Sequence, residues 1–500
     1  MTQRYQLIAA ALLASTAAVA AQAQDSEVTI VLSEELENVD PCNAAQSNIG
    51  RVLLGNVSET LTELVPGVGL EPRLAESWED MGDGTWRFKL REGVSFTDGT
   101  PFDAADVAFS IERNKSKDIV CQTGAKFYGG MEFTTTVVDD TTIDITVDPA
   151  QPILPLLMST LTVMPSETDL TTHVDMPVGT GPYIFSEYNR GQNIKLTLNE
   201  NYWGDTPAVT GATYVFRPDS AVRAAMVEQG EADIAPNIAL QDAVNPEMDF
   251  SYPNSETVYI RLSAERAPLD DIRVRQAMNY AVDREAFIGT ILADGTLLAT
   301  SIVPPSTLGY NKDLEPYPYD PDKARALIEE AKADGVDVGA EITFIGRNNN
   351  WGNVVETLEA LTAMWEDVGL NVDLNMMEVG EWNQYYTAPY PEEVGPFIVA
   401  AMHDNANGDP VFSMFFKYAS EGLQSIIKVP ELDDMIAAAT AATGAEREGL
   451  WSEVMGYVYD KAYDVLLFDM VGFSRVSPRL DFTPTIRTNS ELQLSQISFK

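Results

Sequence analysis

Alternating and apolar runs predict strands in the first third of the chain. Residues 28–32 form a short apolar run typical of a buried strand. Residues 85–90 read Thr-Trp-Arg-Phe-Lys-Leu, which alternates with the period of a half-buried strand. Gly82-Asp83-Gly84 precedes this run and predicts a hairpin turn. Residues 137–147 repeat the pattern around Asp139-Asp140-Thr141 and predict a second hairpin.

Apolar residues at helical spacing predict helices, most of them in the second half. Asp103 is a predicted N-cap for the helix that follows it. Similar patterns cover residues 220–230, 271–281, 319–328 and 354–368. Strands are predicted at 341–345 and 372–376, on either side of the last helix. Because helices and strands alternate, this half is predicted to be α/β.

The length predicts more than one lobe. A chain of 500 residues exceeds what one hydrophobic core usually holds. Hydrophobic residues make up 45% and charged residues 22%, as in ordinary globular proteins. The chain contains no internal repeat and no long linker, so short crossings are expected to join the lobes.

Residues 1–23 are predicted to be a bacterial signal peptide. Arg4 supplies the positive end, residues 7–14 are apolar, and Ala21-Gln22-Ala23 is a small-residue cleavage site. Cleavage after Ala23 would release the protein into the periplasm. No cysteine stands at the cleavage point, so no lipid anchor is expected there.

The two cysteines, Cys42 and Cys121, are predicted to form a disulfide in the oxidising periplasm. Two unpaired buried thiols are the alternative. The net charge of −44 is unfavourable for binding to nucleic acid or anionic membranes. Solubility explains this charge, which does not by itself indicate a cationic ligand.

No catalytic or metal-binding motif is present in the sequence. The only histidines are His173 and His403, and no cluster has zinc spacing. Residues 179–183 (Gly-Thr-Gly-Pro-Tyr) lack the third glycine of a phosphate loop, so they are interpreted as a turn before a strand. A catalytic role therefore has no motif to support it, and no cofactor is expected. A hydrolase with paired carboxylates is the catalytic alternative.

Several long motifs resemble the peptide/nickel/opine group of extracellular solute-binding proteins, which serve ABC importers. The motifs cover residues 74–79, 84–94, 96–107, 179–183, 199–204 and 271–284. The resemblance extends over nearly the whole mature chain.

The resemblance implies a two-lobed α/β periplasmic-binding-protein fold with a hinged ligand cleft. Lobe I is placed at 24–270 plus 481–500, with an extra subdomain at 57–190, and lobe II at 271–480. The implied partners are a small peptide-like ligand and a membrane ABC permease, and the protein is expected to act as a monomer.

The resemblance also indicates how the ligand is held. Arg347 matches an arginine that grips the carboxylate of a bound dipeptide, although a surface salt bridge would also explain it. Ala406 stands where related proteins carry the aspartate that binds the peptide ammonium, and His403 stands where they carry a tryptophan. A plain dipeptide is therefore a doubtful ligand, and modified peptides, conjugates or other carboxylates are favoured.

Further ligand contacts are predicted from segments expected near the cleft. They are Ser33, Glu34, Trp351, Trp382, Tyr385, Tyr386, Asp404 and Asn405. The aromatic residues are equally consistent with packing inside a lobe. An opine, an oligosaccharide or a metal chelate remains an alternative ligand for the same fold, and a chaperone-like role is another alternative.

Overall fold

The structure, a computed structural model, describes residues 26–65, 69–391, 395–405 and 408–500. The predicted signal peptide and Ala406 lie outside these ranges. Both the signal peptide and the effect of Ala406 on ligand choice therefore remain predictions. Within the described part of the chain, no helix has the length and apolar character needed to cross a membrane.

The strands and helices are numbered here in chain order. The strands are β1 Glu27–Leu32, β2 Thr62–Val65, β3 Gly69–Pro72, β4 Ala75–Gly82, β5 Thr85–Leu90, β6 Glu132–Asp139, β7 Thr142–Asp148, β8 Tyr183–Asn189, β9 Asn193–Leu198, β10 Gly211–Phe216, β11 Ile234–Ala235, β12 Asp249–Leu262, β13 Leu297–Leu298, β14 Glu341–Arg347, β15 Asn371–Met377, β16 Phe397–Asp404, β17 Asp464–Val476, β18 Leu480–Asp481 and β19 Ser498–Phe499. The helices are α1 Ser47–Leu53, α2 Ala104–Asn114, α3 Gln122–Phe127, α4 Leu154–Leu157, α5 Ser220–Glu228, α6 Ile272–Tyr280, α7 Pro321–Ala333, α8 Val354–Asp367, α9 Val379–Tyr386, α10 Met414–Tyr418, α11 Pro430–Ala441 and α12 Gly444–Asp460.

Local signals in the sequence explain where several elements begin. Asp103 caps α2 and forms a capping box with Asp106, as expected for an N-cap three residues before an acidic side chain. Asp271 and Asp320 accept backbone hydrogen bonds at the starts of α6 and α7. Both predicted hairpins are confirmed, as β4–β5 and β6–β7.

The turn at residues 179–183 is also confirmed, and β8 begins at Tyr183. Its glycines are required by close backbone packing. A Cβ on Gly179 would lie 2.1 Å from the Val57 carbonyl oxygen, and one on Gly181 would lie 2.3 Å from that of Asn56.

One sheet extends through both sides of the molecule. Its order is β15-β14-β16-β12-β17-β11-β1-β10-β9-β8, and β13 pairs with β17. The strands β14, β15 and β16 are parallel to one another, as are β1, β10 and β11. A separate antiparallel sheet, β4-β5-β7-β6, lies within the predicted extra subdomain. This mixed architecture confirms the α/β prediction.

The two long strands β12 and β17 join the two sides of the molecule. Residues 249–253 of β12 pair with 471–475 of β17, and residues 257–261 pair with 464–469. An irregularity separates these blocks, at residues 254–256. The second block of β12 also pairs with β16, whereas the end of β17 pairs with β11. The side that contains β16 is called the β16 side below, and the other is called the β1 side.

Separate apolar cores lie on the two sides of this crossing. On the β1 side the buried residues include Val28, Ile30, Tyr183, Tyr214, Ile234 and Val476. On the β16 side they include Val258, Ile260, Leu262, Phe344, Trp365 and Phe468. A further core cluster contains Phe88 and Phe127 together with Phe397 and Phe412, so residues 61–163 share buried apolar surface with the β16 side.

Two links tie the segment after β1 to residues 113–121, in the predicted extra subdomain. Cys42 and Cys121 form the predicted disulfide, with their Cα atoms 5.0 Å apart. Next to it, both guanidinium Nη atoms of Arg113 donate to the carboxylate of Asp40, at 2.8 and 2.7 Å. Arg113 and Asp40 are fully buried, so removing either would leave an uncompensated charge.

Replacing both Cys42 and Cys121 with alanine should lower the free energy of unfolding by about 4 kcal/mol, because the disulfide closes a long loop. The two cysteines are 79 residues apart in sequence. Chemical denaturation in oxidising buffer measures the change. Reductant should affect the wild-type protein and leave the double variant unchanged. Equal unfolding midpoints for wild type with and without reductant would contradict the expectation.

Asp469 makes the crossing sensitive to pH. Its Oδ1 accepts a hydrogen bond from Thr257 Oγ1, whereas Oδ2 is buried with no partner in the described structure. Burial raises the pKa of Asp469 to about 7. The folded protein thus holds this proton more tightly than the unfolded chain, and stability is lost as pH rises through this range.

Asp469→Asn should remove that loss. Relative to wild type, the variant should gain about 1 kcal/mol of unfolding free energy per pH unit between about pH 4 and pH 7. Denaturation of both proteins at pH 5 and pH 8 gives the comparison. A difference that does not change with pH would show that Asp469 does not titrate as proposed.

Candidate ligand-binding site

A cavity of about 230 Å³ lies between the two sides of the crossing. Residues 33–37, residues 45–49 and Arg51 line it from the β1 side. The β16 side contributes Arg347, Asn349, Asn350, Val379, Trp382, Asn383, Tyr386, Met402, His403, Asp404, Phe416, Lys417 and Gln424. Because both sides form its walls, a bending of the crossing would open or close this cavity.

The pairing of β12 with β16 fixes the inner wall. Glu256 lies opposite Asp404, Thr257 opposite His403, and Val258 opposite Met402. This register places His403 and Asp404 directly at the crossing. The sequence did not predict β16 as a strand.

Arg347 lies at the end of β14 and joins both walls. Its Nη2 donates to Glu34 Oε1 at 2.7 Å, and its guanidinium lies 5.6 Å from the Trp382 ring centroid. The predicted ligand contact Glu34 is therefore the ion-pair partner of the predicted carboxylate-binding arginine. Nε of Arg347 is buried and has no acceptor among the described residues.

Two further donors close to Arg347 lack an acceptor in the part of the chain that the structure describes. They are Asn350 Nδ2, on the same cavity, and Trp351 Nε1. Trp351 lines a smaller adjoining cavity of about 50 Å³, which Asn350 also lines. Segment 347–351 thus presents three buried N–H groups, which is a costly arrangement unless a ligand supplies acceptors.

The predicted aromatic group divides into different roles. Trp382 and Tyr386 stack with ring centroids 4.1 Å apart, and Trp382 Nε1 donates to the Ala400 carbonyl. Tyr385 does not line the cavity, because its ring packs against Phe397. Trp382 is 6% exposed, so it supports Arg347 and offers little free ring surface.

His403 is a buried neutral residue of the cavity wall. Its Nε2 lies 2.6 Å from Ser413 Oγ. Burial, and then the nearby Lys417 and Lys126 ammonium groups, hold the pKa of His403 well below its ordinary value. His403 therefore acts as a hydrogen-bonding group and not as a cation.

Two lysines of the wall were not predicted. Lys126, on α3, contacts the Asp404 carbonyl oxygen at 3.3 Å. Lys417 donates to Tyr386 Oη and Gln424 Oε1. Burial lowers the pKa of both ammonium groups. Each is a single cation between apolar neighbours in sequence, a pattern that carries no local signal for a cleft.

The remaining predicted contacts fall in different places. Ser33 lines the main cavity, whereas Asn405 lines a second, larger cavity described below. Asp404 lines both, and its Oδ1 accepts from Ser255 Oγ. The structure therefore brings together Arg347, Ser33, Glu34, Trp382, Tyr386, His403 and Asp404, and leaves Asn405, Tyr385 and Trp351 outside this cavity.

The family described as bacterial extracellular solute-binding proteins, family 5 middle, matches residues 69–422. The chain belongs to this family. Its members are solute-binding proteins of ABC importers, as the resemblance implied.

Curated relatives match most of the chain. Heme-binding protein A of Haemophilus influenzae is 29% identical over 446 residues, which are 82% of this chain and 81% of that protein. The dipeptide-binding protein of Escherichia coli K12 is 28% identical over 453 residues, 83% and 82% of the two chains.

A solved structure confirms the fold. The DppA periplasmic binding protein of Helicobacter pylori, in complex with the peptide STSA, superposes with a TM-score of 0.84 and covers 95% of this chain and 99% of its own. At 20% identity this likeness shows the two-lobed fold alone.

His403→Gln should reduce the loss of unfolding free energy at acidic pH. Because the folded state disfavours protonated His403, wild-type stability is complete above about pH 6.5 and falls by about 1 kcal/mol per pH unit below it. Glutamine can hydrogen-bond Ser413 without titrating. Denaturation at pH 5 and pH 7.5 measures the free energy of unfolding of both proteins. Relative to wild type, the variant should be more stable at pH 5 than it is at pH 7.5. Parallel pH profiles would contradict the burial argument.

Proposed function

We propose that the protein is the periplasmic receptor of an ABC importer. It captures a peptide-like carboxylate in the cavity of about 230 Å³ between the two sides, which is called the interlobe cavity below. The observation that supports this is the pair of donors on the cavity wall, Arg347 Nε and Asn350 Nδ2, that have no acceptor among the described residues. A carboxylate has two oxygens and about four acceptor positions, so it can satisfy several donors at once.

The neutralising contact with Glu34 does not remove this capacity. It uses Nη2 of Arg347, and the N–H at Nε still has no acceptor among the described residues. A planar guanidinium can hold a carboxylate and an aspartate or glutamate partner on different edges. Arg347 would then bind the ligand while keeping the two walls together.

A ligand with a blocked amino end fits the rest of the wall better than a free dipeptide. The carboxylates of Asp404 and Glu256 already attract Arg51 and Lys126, as their favourable effects on the pKa of both cations indicate. A ligand ammonium would meet these resident cations and be repelled by them. This agrees with the prediction made from Ala406.

Capture would involve bending at the crossing. We place the hinge at residues 254–256 of β12 and near 470 of β17, because the paired blocks change partners there. The lobe boundaries at 270 and 480 remain predictions, and residues 258–262 belong to the β16-side core. Ligand would favour the closed form by contacting both walls only there. The expected partner is a membrane permease, and we expect a monomer that binds no nucleic acid.

An opine is the alternative ligand class that shares this carboxylate chemistry. An oligosaccharide would need open aromatic faces, and the stacked, buried Trp382 does not provide one.

Arg347→Lys should weaken binding of N-acetyl-dialanine at least tenfold, since lysine cannot present a planar pair of donors. Isothermal titration of the mature protein measures the affinity. Arg325→Lys is the matched control, because Arg325 is 43% exposed and pairs with Asp322 and Asp367.

The same peptide with a C-terminal carboxamide tests the role of the carboxylate. It should bind wild type weakly and be insensitive to Arg347→Lys. Equal affinity for the acid and the amide would contradict carboxylate recognition. If opines or oligosaccharides bind and acetylated peptides do not, the peptide-like assignment is wrong.

A further inference from the structure

A second cavity of about 580 Å³ adjoins the interlobe cavity. We call it the second chamber. Ala45, Lys126 and Asp404 line both spaces, so these residues form the junction between them. The second chamber lies within the size range of ligand pockets, whereas the interlobe cavity is smaller than that range.

Two polar side chains of the second chamber are buried without complete partners. Thr123 is 1% exposed and its hydroxyl has no hydrogen bond among the described residues. Asn405 is 3% exposed, and its Oδ1 likewise lacks a donor. Its Nδ2 faces Thr307 Oγ1 at 3.5 Å. Buried groups of this kind are rare in folded proteins unless a ligand or water satisfies them.

The charged groups of the second chamber are already satisfied by one another. Arg73 pairs with Glu59 at 3.0 Å and with Glu63 at 2.7 Å. Arg487 pairs with Glu63 and Glu491. The chamber therefore does not call for an ion. Apolar side chains, Leu54, Leu64, Phe127 and Phe412, form other parts of its wall.

We propose that the second chamber is a subsite for the neutral, amide-bearing extension of an elongated ligand whose carboxylate is held at Arg347. An amide N–H would donate to Asn405 Oδ1, and an amide carbonyl would accept from the Thr123 hydroxyl. Among the described residues Lys126 has one hydrogen-bond acceptor, the Asp404 carbonyl, and an ammonium has three donors, so Lys126 can also donate to a ligand carbonyl at the junction.

This inference rests on the proposed function and adds a prediction of how long the ligand is. A peptide bound by its carboxylate at Arg347 would direct its amino end past Lys126. That end must then be neutral, since Lys126 is itself a cation. The ligand class is therefore an N-blocked peptide longer than two residues.

The test compares N-acetyl-dialanine with N-acetyl-tetraalanine by isothermal titration of the mature protein. The longer peptide should bind wild type at least tenfold more tightly, because it satisfies groups that the shorter one does not reach. Thr123→Val should remove most of that preference and leave the affinity for the short peptide unchanged. Thr362→Val is the matched control, because the Thr362 hydroxyl donates to the Leu358 carbonyl within α8.

Two further measurements separate this role from a structural one. Thr123→Val should raise the melting temperature of the ligand-free protein, since it removes a buried hydroxyl without a partner. Ser306→Trp, at an exposed position on the chamber wall, should block the chamber and abolish the preference for the longer peptide.

Equal affinities of wild type for the two peptides would overturn the inference and leave the proposed function standing. A preference that survives both Thr123→Val and Ser306→Trp would also overturn it. If neither peptide binds, the proposed function fails and this inference fails with it.

Discussion

The strands β12 and β17 cross from one side of the molecule to the other, and the rest of the largest sheet is attached through one or the other of them. Their pairing shifts register at residues 254–256 and again between Val258 and Tyr259. We propose that the two sides change their angle at the first of these shifts, while the pairs on either side of it keep their register. Asp404, opposite Glu256, and His403, opposite Thr257, both line the cavity beside the first of these shifts.

Local patterns predicted much of the fold, because hairpins and helix starts depend on neighbouring residues. Asp103, Asp271 and Asp320 show this for helices, since each cap is satisfied within three residues. The position of Arg347 came from resemblance to a family. Its pairing with Glu34, 313 residues away in sequence, is a tertiary contact that no local pattern encodes.

The missed residues share a physical reason. Lys126 and Lys417 are cations that burial and the fold bring to the cavity from different segments. In sequence each looks like an ordinary surface lysine. Trp382 and Tyr385 illustrate the opposite case: one segment supplied a wall residue and a packing residue, and helical spacing alone could not separate them.

The disulfide has a consequence for ligand choice as well as for folding. Cys42 is followed closely by Ala44 and Ala45, and Cys121 by Thr123 and Lys126, all of which line the second chamber. The bond thus links the two segments that carry Ala45 and Lys126, which form the junction between the two cavities. Because disulfides form in oxidising compartments, the proposed export to the periplasm would also complete the wall that these two segments build between the cavities.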